Sequence, residues 1–295
     1  MRKITAIMLS LLLIASLTGC GQSESDNNKI KIISTIFPMY DFAKNIGGDK
    51  VDVSILLPPG GESHSFEPTP MDIVNISESD LFIYNGGHSD HWIEEMLKSL
   101  DKAPETFVNF DFVEEIEGDH DADEHVWTTP ENAKAVSFGI CEALCQISPE
   151  NEEYFRLNYE SFAKELETLD KEFSRVCSSS KRNTIVFGDK FPFRYFTREY
   201  DLEWYSAYTD CSGEAEPSAR LVAEITDVVK EKEIPVVFHI EFSNKKVAES
   251  IAEAAGVKTA EFHSCHNVTK QQLDENVTYI DLMRKNLDIL KEALN

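Results

Sequence analysis

Positive charge is scarce in this chain: 28 Lys and Arg stand against 53 Asp and Glu in 295 residues, a formal net charge of −25 at pH 7. That balance argues against nucleic acid and anionic lipid surfaces as partners, because both are held through Lys and Arg. It suits a soluble body that attracts cations. The six cysteines include no C-x-x-C pair, so a zinc ribbon is excluded. Neither H-E-x-x-H nor a serine in G-x-S-x-G occurs, which removes two common hydrolase signatures. Internal repeats and low-complexity tracts are also missing. Apolar residues at 42% and aromatics at 10% are enough to build real cores, and the length allows two lobes of ordinary size.

The one long apolar run is N-terminal. Arg2 and Lys3 precede Ile4 to Leu17, and Leu17-Thr18-Gly19-Cys20 closes the run. It is short for a membrane span, which needs about 20 apolar residues, and small residues before a cysteine read as a lipoprotein cleavage box. Residues 1–20 are therefore expected to be a lipoprotein signal peptide with Cys20 as the lipid-attachment residue. An uncleaved N-terminal anchor is the alternative. Residues 21–28 (GQSESDNN) read as a flexible tether. The body would then face outward from the cell membrane, lipid-anchored on its extracytoplasmic side.

Two histidines sit in specific settings: His64 within PPGGESHSFEPTP (residues 58–70) and His125 within DEHVWTTPENA (residues 123–133). Each lies in a loop that runs into a helix start, Thr69-Pro70 and Thr129-Pro130, where a capping hydroxyl precedes proline at the first helical position. Neutral imidazole is the commonest protein ligand for zinc. A helix N-terminus repels a cation through its dipole, and Asp121, Asp123 and Glu124 are at hand to offset that near His125.

Both segments resemble the solute-binding lipoproteins of bacterial ABC importers for zinc and manganese. Their first pattern is matched by Pro58, Gly60, His64, Phe66, Glu67, Pro68 and Thr69, and their second by Asp123, His125, Trp127, Pro130, Asn132 and Ala133. The likeness of organisation covers the mature chain and weakens after about residue 180. It implies a metal-binding receptor, not an enzyme, that delivers zinc to ABC permease subunits. Manganese or ferrous iron on the same fold is the near alternative. A secreted zinc-dependent hydrolase is the alternative from another class.

The pattern of elements predicts an α/β protein. Lys29 to Phe37, Val51 to Leu57 and Leu81 to Tyr84 read as strands separated by helices, which favours a mostly parallel sheet with ligand loops at the carboxyl ends of its strands. From Pro149 to Val176 the residues Phe155, Tyr159, Phe162, Leu166, Leu169, Phe173 and Val176 form one apolar stripe at helical spacing. Strands are then expected at 184–187, 202–208, 236–242 and 257–262, with helices at 191–199, 217–232, 244–255 and 277–294. The resulting organisation is two lobes, each a mostly parallel sheet flanked by helices, at 29–148 and 179–295, joined by one long linking helix at 149–178. By the resemblance, that connection should limit hinge motion.

For the metal, the resemblance adds two ligand positions from the second lobe. In Asp189-Lys190-Phe191-Pro192-Phe193-Arg194-Tyr195-Phe196 it puts Lys190 at the first, where a protonated lysine cannot ligate. Either Asp189 takes the role, or Lys190 pairs with Glu241 and water completes the shell. In Glu261-Phe262-His263-Ser264-Cys265-His266, His263 falls at the second position, with His266 as its competitor. The expected ligands are thus His64, His125, His263 and Asp189, with Glu67 or Asp123 orienting the imidazoles. His239 reads as a core residue, and His88 and His91 as surface. His120 belongs to an acidic loop, and Glu214 and Glu216 either approach the site from the second lobe or, more readily, bias a helix start. Cys141 and Cys145 read as buried apolar residues. Cys211 and Cys265 could form a disulfide, remain thiols, or, less readily, ligate metal.

Overall fold

The structure, a computed structural model, describes residues 29–62, 64–116, 118, 122–208 and 216–295. Cys20 with the leader and tether, His120, Asp121, Cys211 and Glu214 lie outside them. No helix among the described residues is long and apolar enough to cross a membrane.

The first half runs β1 (Ile30–Ser34), α1 (Phe37–Gly47), β2 (Val51–Ile55), α2 (Pro70–Ser77), β3 (Leu81–Tyr84), α3 (His91–Ser99) and β4 (Glu105–Val108). Its sheet has the order β2-β1-β3-β4 with every pair parallel. Next come α4 (Pro130–Ile147) and α5 (Glu152–Ser179), the latter entered through a 3-10 turn at Pro149–Asn151. The second half runs β5 (Thr184–Phe187), α6 (Arg194–Glu199), β6 (Glu203–Ser206), α7 (Ala219–Glu231), β7 (Val236–His239), α8 (Lys246–Ala255), β8 (Lys258–Glu261), α9 (Lys270–Asp274) and α10 (Tyr279–Leu294). Its sheet repeats the arrangement as β6-β5-β7-β8, again all parallel.

Local chemistry accounts for the elements that matter. Thr69 and Thr129 cap α2 and α4 by accepting the N–H groups of Asp72 and Asn132, with proline at the first turn of each helix. On α5, the residues of the apolar stripe are buried apart from half-buried Tyr159. The strands of the second half are shorter than their apolar runs suggest, because Ile240 to Phe242 leave the sheet to form the loop at the end of β7. Gly188 is required after β5: a Cβ there would lie 2.3 Å from the Cα of Ala248 in α8.

The two sheets share one continuous apolar cluster. Tyr279, the first residue of α10, inserts edge-on against Phe42 of α1 with ring centroids 5.1 Å apart. Its backbone N–H donates to Asp41 Oδ2 at 3.0 Å. Burial raises the Asp41 carboxyl to about 7 despite that bond.

Candidate metal centre

In each sheet the strand order reverses direction at its centre, and loops at the carboxyl ends meet at such a switch point. The His64 loop leaves β2, Asp189 follows β5, Glu241 follows β7, and residues 262–269 follow β8. His125 enters from the 3-10 turn Val126–Thr128 that precedes α4.

Among the described residues, one group of three metal-ligating side chains comes together: His64, His125 and His266, with ligand nitrogens all within 4.8 Å of one another. The ring centroids are 5.8 Å apart for His64 and His125, 5.5 Å for His64 and His266, and 5.6 Å for His125 and His266. Nitrogens on a tetrahedral zinc would stand about 3.3 Å apart, so closing the set needs shifts of about 1 Å. The rings meet at steep angles of 62°, 84° and 88°, which point them at a common space instead of stacking them.

Each first-half imidazole is oriented by a carboxylate. His125 Nδ1 donates to Asp123 Oδ1 at 3.0 Å, and Asp123 Oδ2 lies 3.6 Å from Arg194 Nε across the lobe boundary. His64 Nδ1 lies 2.9 Å from Ser89 Oγ, whose hydroxyl donates to Glu124 Oε2 at 2.5 Å. Both arrangements keep the proton on Nδ1 and turn the Nε2 lone pair to the cluster. Glu124 Oε1 also accepts the Ser89 N–H at 2.6 Å. That approach needs glycine at 87, where φ is +85° and a Cβ would stand 2.8 Å from Glu124 Oε1. Of the two orienting candidates read from the sequence, Asp123 takes the role and Glu67 stays exposed. Ser89, and the role of Glu124 at His64 rather than beside His125 alone, escaped the sequence reading because they meet His64 only through the fold.

His266, not His263, stands beside the other two imidazoles. His263 Nδ1 accepts the N–H of Cys265 at 2.9 Å, and Asn286 of α10 clamps the His263 backbone through two bonds of 2.7 Å. Because Nδ1 is an acceptor there, the 3.6 Å approach of Glu241 is proximity and not an ion pair. Cys265 adopts φ +63°, and this left-handed turn swings His266 toward the cluster. Trp127 then packs 5.0 Å from the His266 ring and donates from Nε1 to Ser264 O at 2.8 Å.

Asp189 also stays out of the cluster. Its Oδ1 accepts the N–H of Lys190 at 2.9 Å and its Oδ2 that of Ile240 at 3.1 Å, so both oxygens serve the loops that end β5 and β7. Lys190 pairs with Glu62 at 3.7 Å, not with Glu241, whose carboxylate takes the N–H and hydroxyl of Ser264. Cys265 is a buried free thiol directed at the His263 carbonyl, 3.8 Å away. His239 is buried in β7, and His88 and His91 are exposed.

The electrostatics suit a cation ligand set. Burial, then the neighbouring His125, lowers the pKa of His64, and burial with the other two imidazoles takes His266 well below the usual range. Burial also works against a charge on His125, but Asp123, Glu124 and Glu241 outweigh it and raise that pKa. The three imidazoles lie in a cavity of about 430 Å³ whose walls also carry Asp189, Lys190, Glu216 and Glu241.

A profile of the ZnuA family, described as zinc-uptake complex component A, periplasmic, matches residues 32–293. The chain belongs to that family. It is 31% identical over 290 residues to the high-affinity zinc uptake system protein ZnuA of Bacillus subtilis (strain 168), covering 93% of this chain and 90% of that protein. It is 30% identical to the zinc-binding lipoprotein AdcA of Streptococcus pneumoniae (strain ATCC BAA-255 / R6) over 99% of this chain, but spans 61% of AdcA's length. The crystal structure of the Zn(II)-bound ZnuA-like domain of Streptococcus pneumoniae AdcA superposes with a TM-score of 0.80 at 29% identity, covering 90% of this chain and 99% of that one. The two-lobe α/β architecture with one long helix between its sheets is the fold of this family.

Proposed function

We propose that this protein is an extracytoplasmic receptor that captures zinc and hands it to the permease of an ABC importer. The reading rests on the cluster of His64, His125 and His266, which draws two imidazoles from one lobe and one from the other. Its relatives are named for zinc uptake and zinc binding, and one was crystallised with Zn(II). A component of zinc-uptake complexes is a binding protein, so no catalytic step is assigned and the hydrolase alternative has no support.

In this reading three imidazoles hold the ion and water completes a tetrahedron. Asp123 and the Ser89–Glu124 pair orient His125 and His64. An all-nitrogen protein set favours zinc over manganese, which prefers oxygen-rich octahedra. Lipid on Cys20 would hold the body at the outer face of the membrane, and the zinc-binding lipoprotein among its relatives supports that placement. The test is titration of metal-free protein with zinc, manganese and ferrous iron, each read by competition against a chelator. One zinc per chain, bound more tightly than the other two ions, is the expected result. A preference for manganese overturns the proposal.

A further inference from the structure

We propose that Lys190 lowers the affinity of the three-imidazole site for a dication and speeds its release. The inference rests on the zinc-receptor reading and adds to it a residue that sets how tightly the ion is held. Lys190 lines the same cavity as His64, His125 and His266, so a positive charge stands in the cavity that an ion on the three imidazoles would share. An ammonium has three donors and no lone pair, so it can repel the ion but cannot bind it.

The side chain is held in place. It is 22% exposed, and its Nζ lies 3.7 Å from Glu62 Oε2. Glu62 Oε1 in turn accepts the backbone N–H of His64 at 3.3 Å, so the lysine is tied to the loop that carries a ligand. A dication held by the three imidazoles would carry two positive charges in the same cavity. Glu62 is the more exposed partner, 54% against 22% for Lys190, so water screens its charge more than the lysine's. Removing a unit positive charge from the water-screened cavity that holds a dication raises affinity by up to roughly tenfold.

The experiment compares the full chain with its K190M and K190R variants. Zinc affinity is read by competition against a fluorescent chelator, and release by stopped-flow mixing with excess EDTA. K190M is expected to bind zinc roughly tenfold more tightly and to release it correspondingly more slowly. K190R keeps the charge and should stay close to the parent. A gain of affinity cannot come from a damaged fold, and K190Q carries the same test should K190M fail to fold. Unchanged or weaker binding by K190M overturns the inference, as does equal tightening by K190R. Failure of the parent chain to take up zinc overturns the functional reading itself, an outcome separate from either.

Discussion

Exchange of alanine for His266 and for His263 separates the ligand from its near neighbour. Structural zinc sites bind with about 10–16 kcal/mol from four ligands, so one imidazole is worth about 3 kcal/mol, roughly a hundredfold in affinity. H266A removes one of three imidazoles whose nitrogens lie within 4.8 Å of one another, and should lose zinc affinity by that factor or more. H263A removes no donor from the cluster. It strands the buried Cys265 N–H that His263 Nδ1 accepts at 2.9 Å, which costs about 1–3 kcal/mol of stability. H263A should therefore melt earlier yet still bind one zinc per chain, with affinity within about tenfold of the parent because the turn carrying His266 is disturbed but present. Competition titration and thermal melting of metal-free protein give both readouts. Zinc lost in H263A but retained at parental affinity in H266A would refute the geometry.

The orienting carboxylates make a second expectation: E124Q and S89A, which disturb the Nδ1 partner of His64, should each weaken zinc binding by about 10–100-fold, measured by the same titration. Zinc affinity should fall as the pH drops, first through the raised pKa of His125 with a slope of one proton per ion. It should fall more steeply only at acid pH, where His64 and His266 take up protons, and titrations from about pH 5 to 8 would show a single uniform slope if this is wrong. Asp41 keeps its proton to about 7 in the folded chain against an ordinary value of 3.8, so folding stability should decline as pH rises across that window. D41N keeps an acceptor for Tyr279 and should flatten that decline, gaining a few kcal/mol at most at neutral pH; an unaltered pH profile of the melting temperature would count against it. In hydrogen exchange, zinc should protect residues 58–69 and leave the start of α10 as slow as before, whereas protection spread evenly over both lobes would indicate a different motion.

How far the site could be read from the sequence follows from how local its determinants are. His64 and His125 were legible because each ligand, its helix cap and its proline lie within a few consecutive residues, and the caps form as read. The long helix was legible because one stripe repeats over its whole length. The third imidazole was not, because the choice between His263 and His266 is made by a left-handed turn at Cys265 and by Asn286, 23 residues beyond His263. The same holds for Asp189, whose oxygens are claimed by the N–H of its neighbour and of Ile240, 51 residues away. Lys190 pairs with Glu62 rather than Glu241 because the Ser264 N–H and hydroxyl already take the Glu241 carboxylate, a contact no sequence spacing announces.

The way the lobes are joined decides which ligand can move. Across the boundary Trp127 Nε1 donates to Ser264 O, Tyr279 Oη donates to Trp127 O, and the Tyr279 N–H reaches Asp41, all in buried surroundings. Asn267 adds bonds to the carbonyls of Pro58 and Gly61 at 2.7 and 3.0 Å. At about 1 kcal/mol net each, these five bonds alone oppose a swing of one lobe, and separating Phe42 from Tyr279 would add the exposure of two aromatic rings. His125 and His266 are fixed to this interface through Trp127 and Ser264, so they cannot part without breaking it. His64 stands apart: Glu62, Ser65 and Glu67 around it are exposed. Its ring is held by the Ser89 hydroxyl, which is itself bonded to Glu124. Movement of His64 that leaves the Asn267 bonds to Pro58 and Gly61 in place would therefore cost less than opening the cleft, and in the zinc-receptor reading it is the cheaper route for an ion.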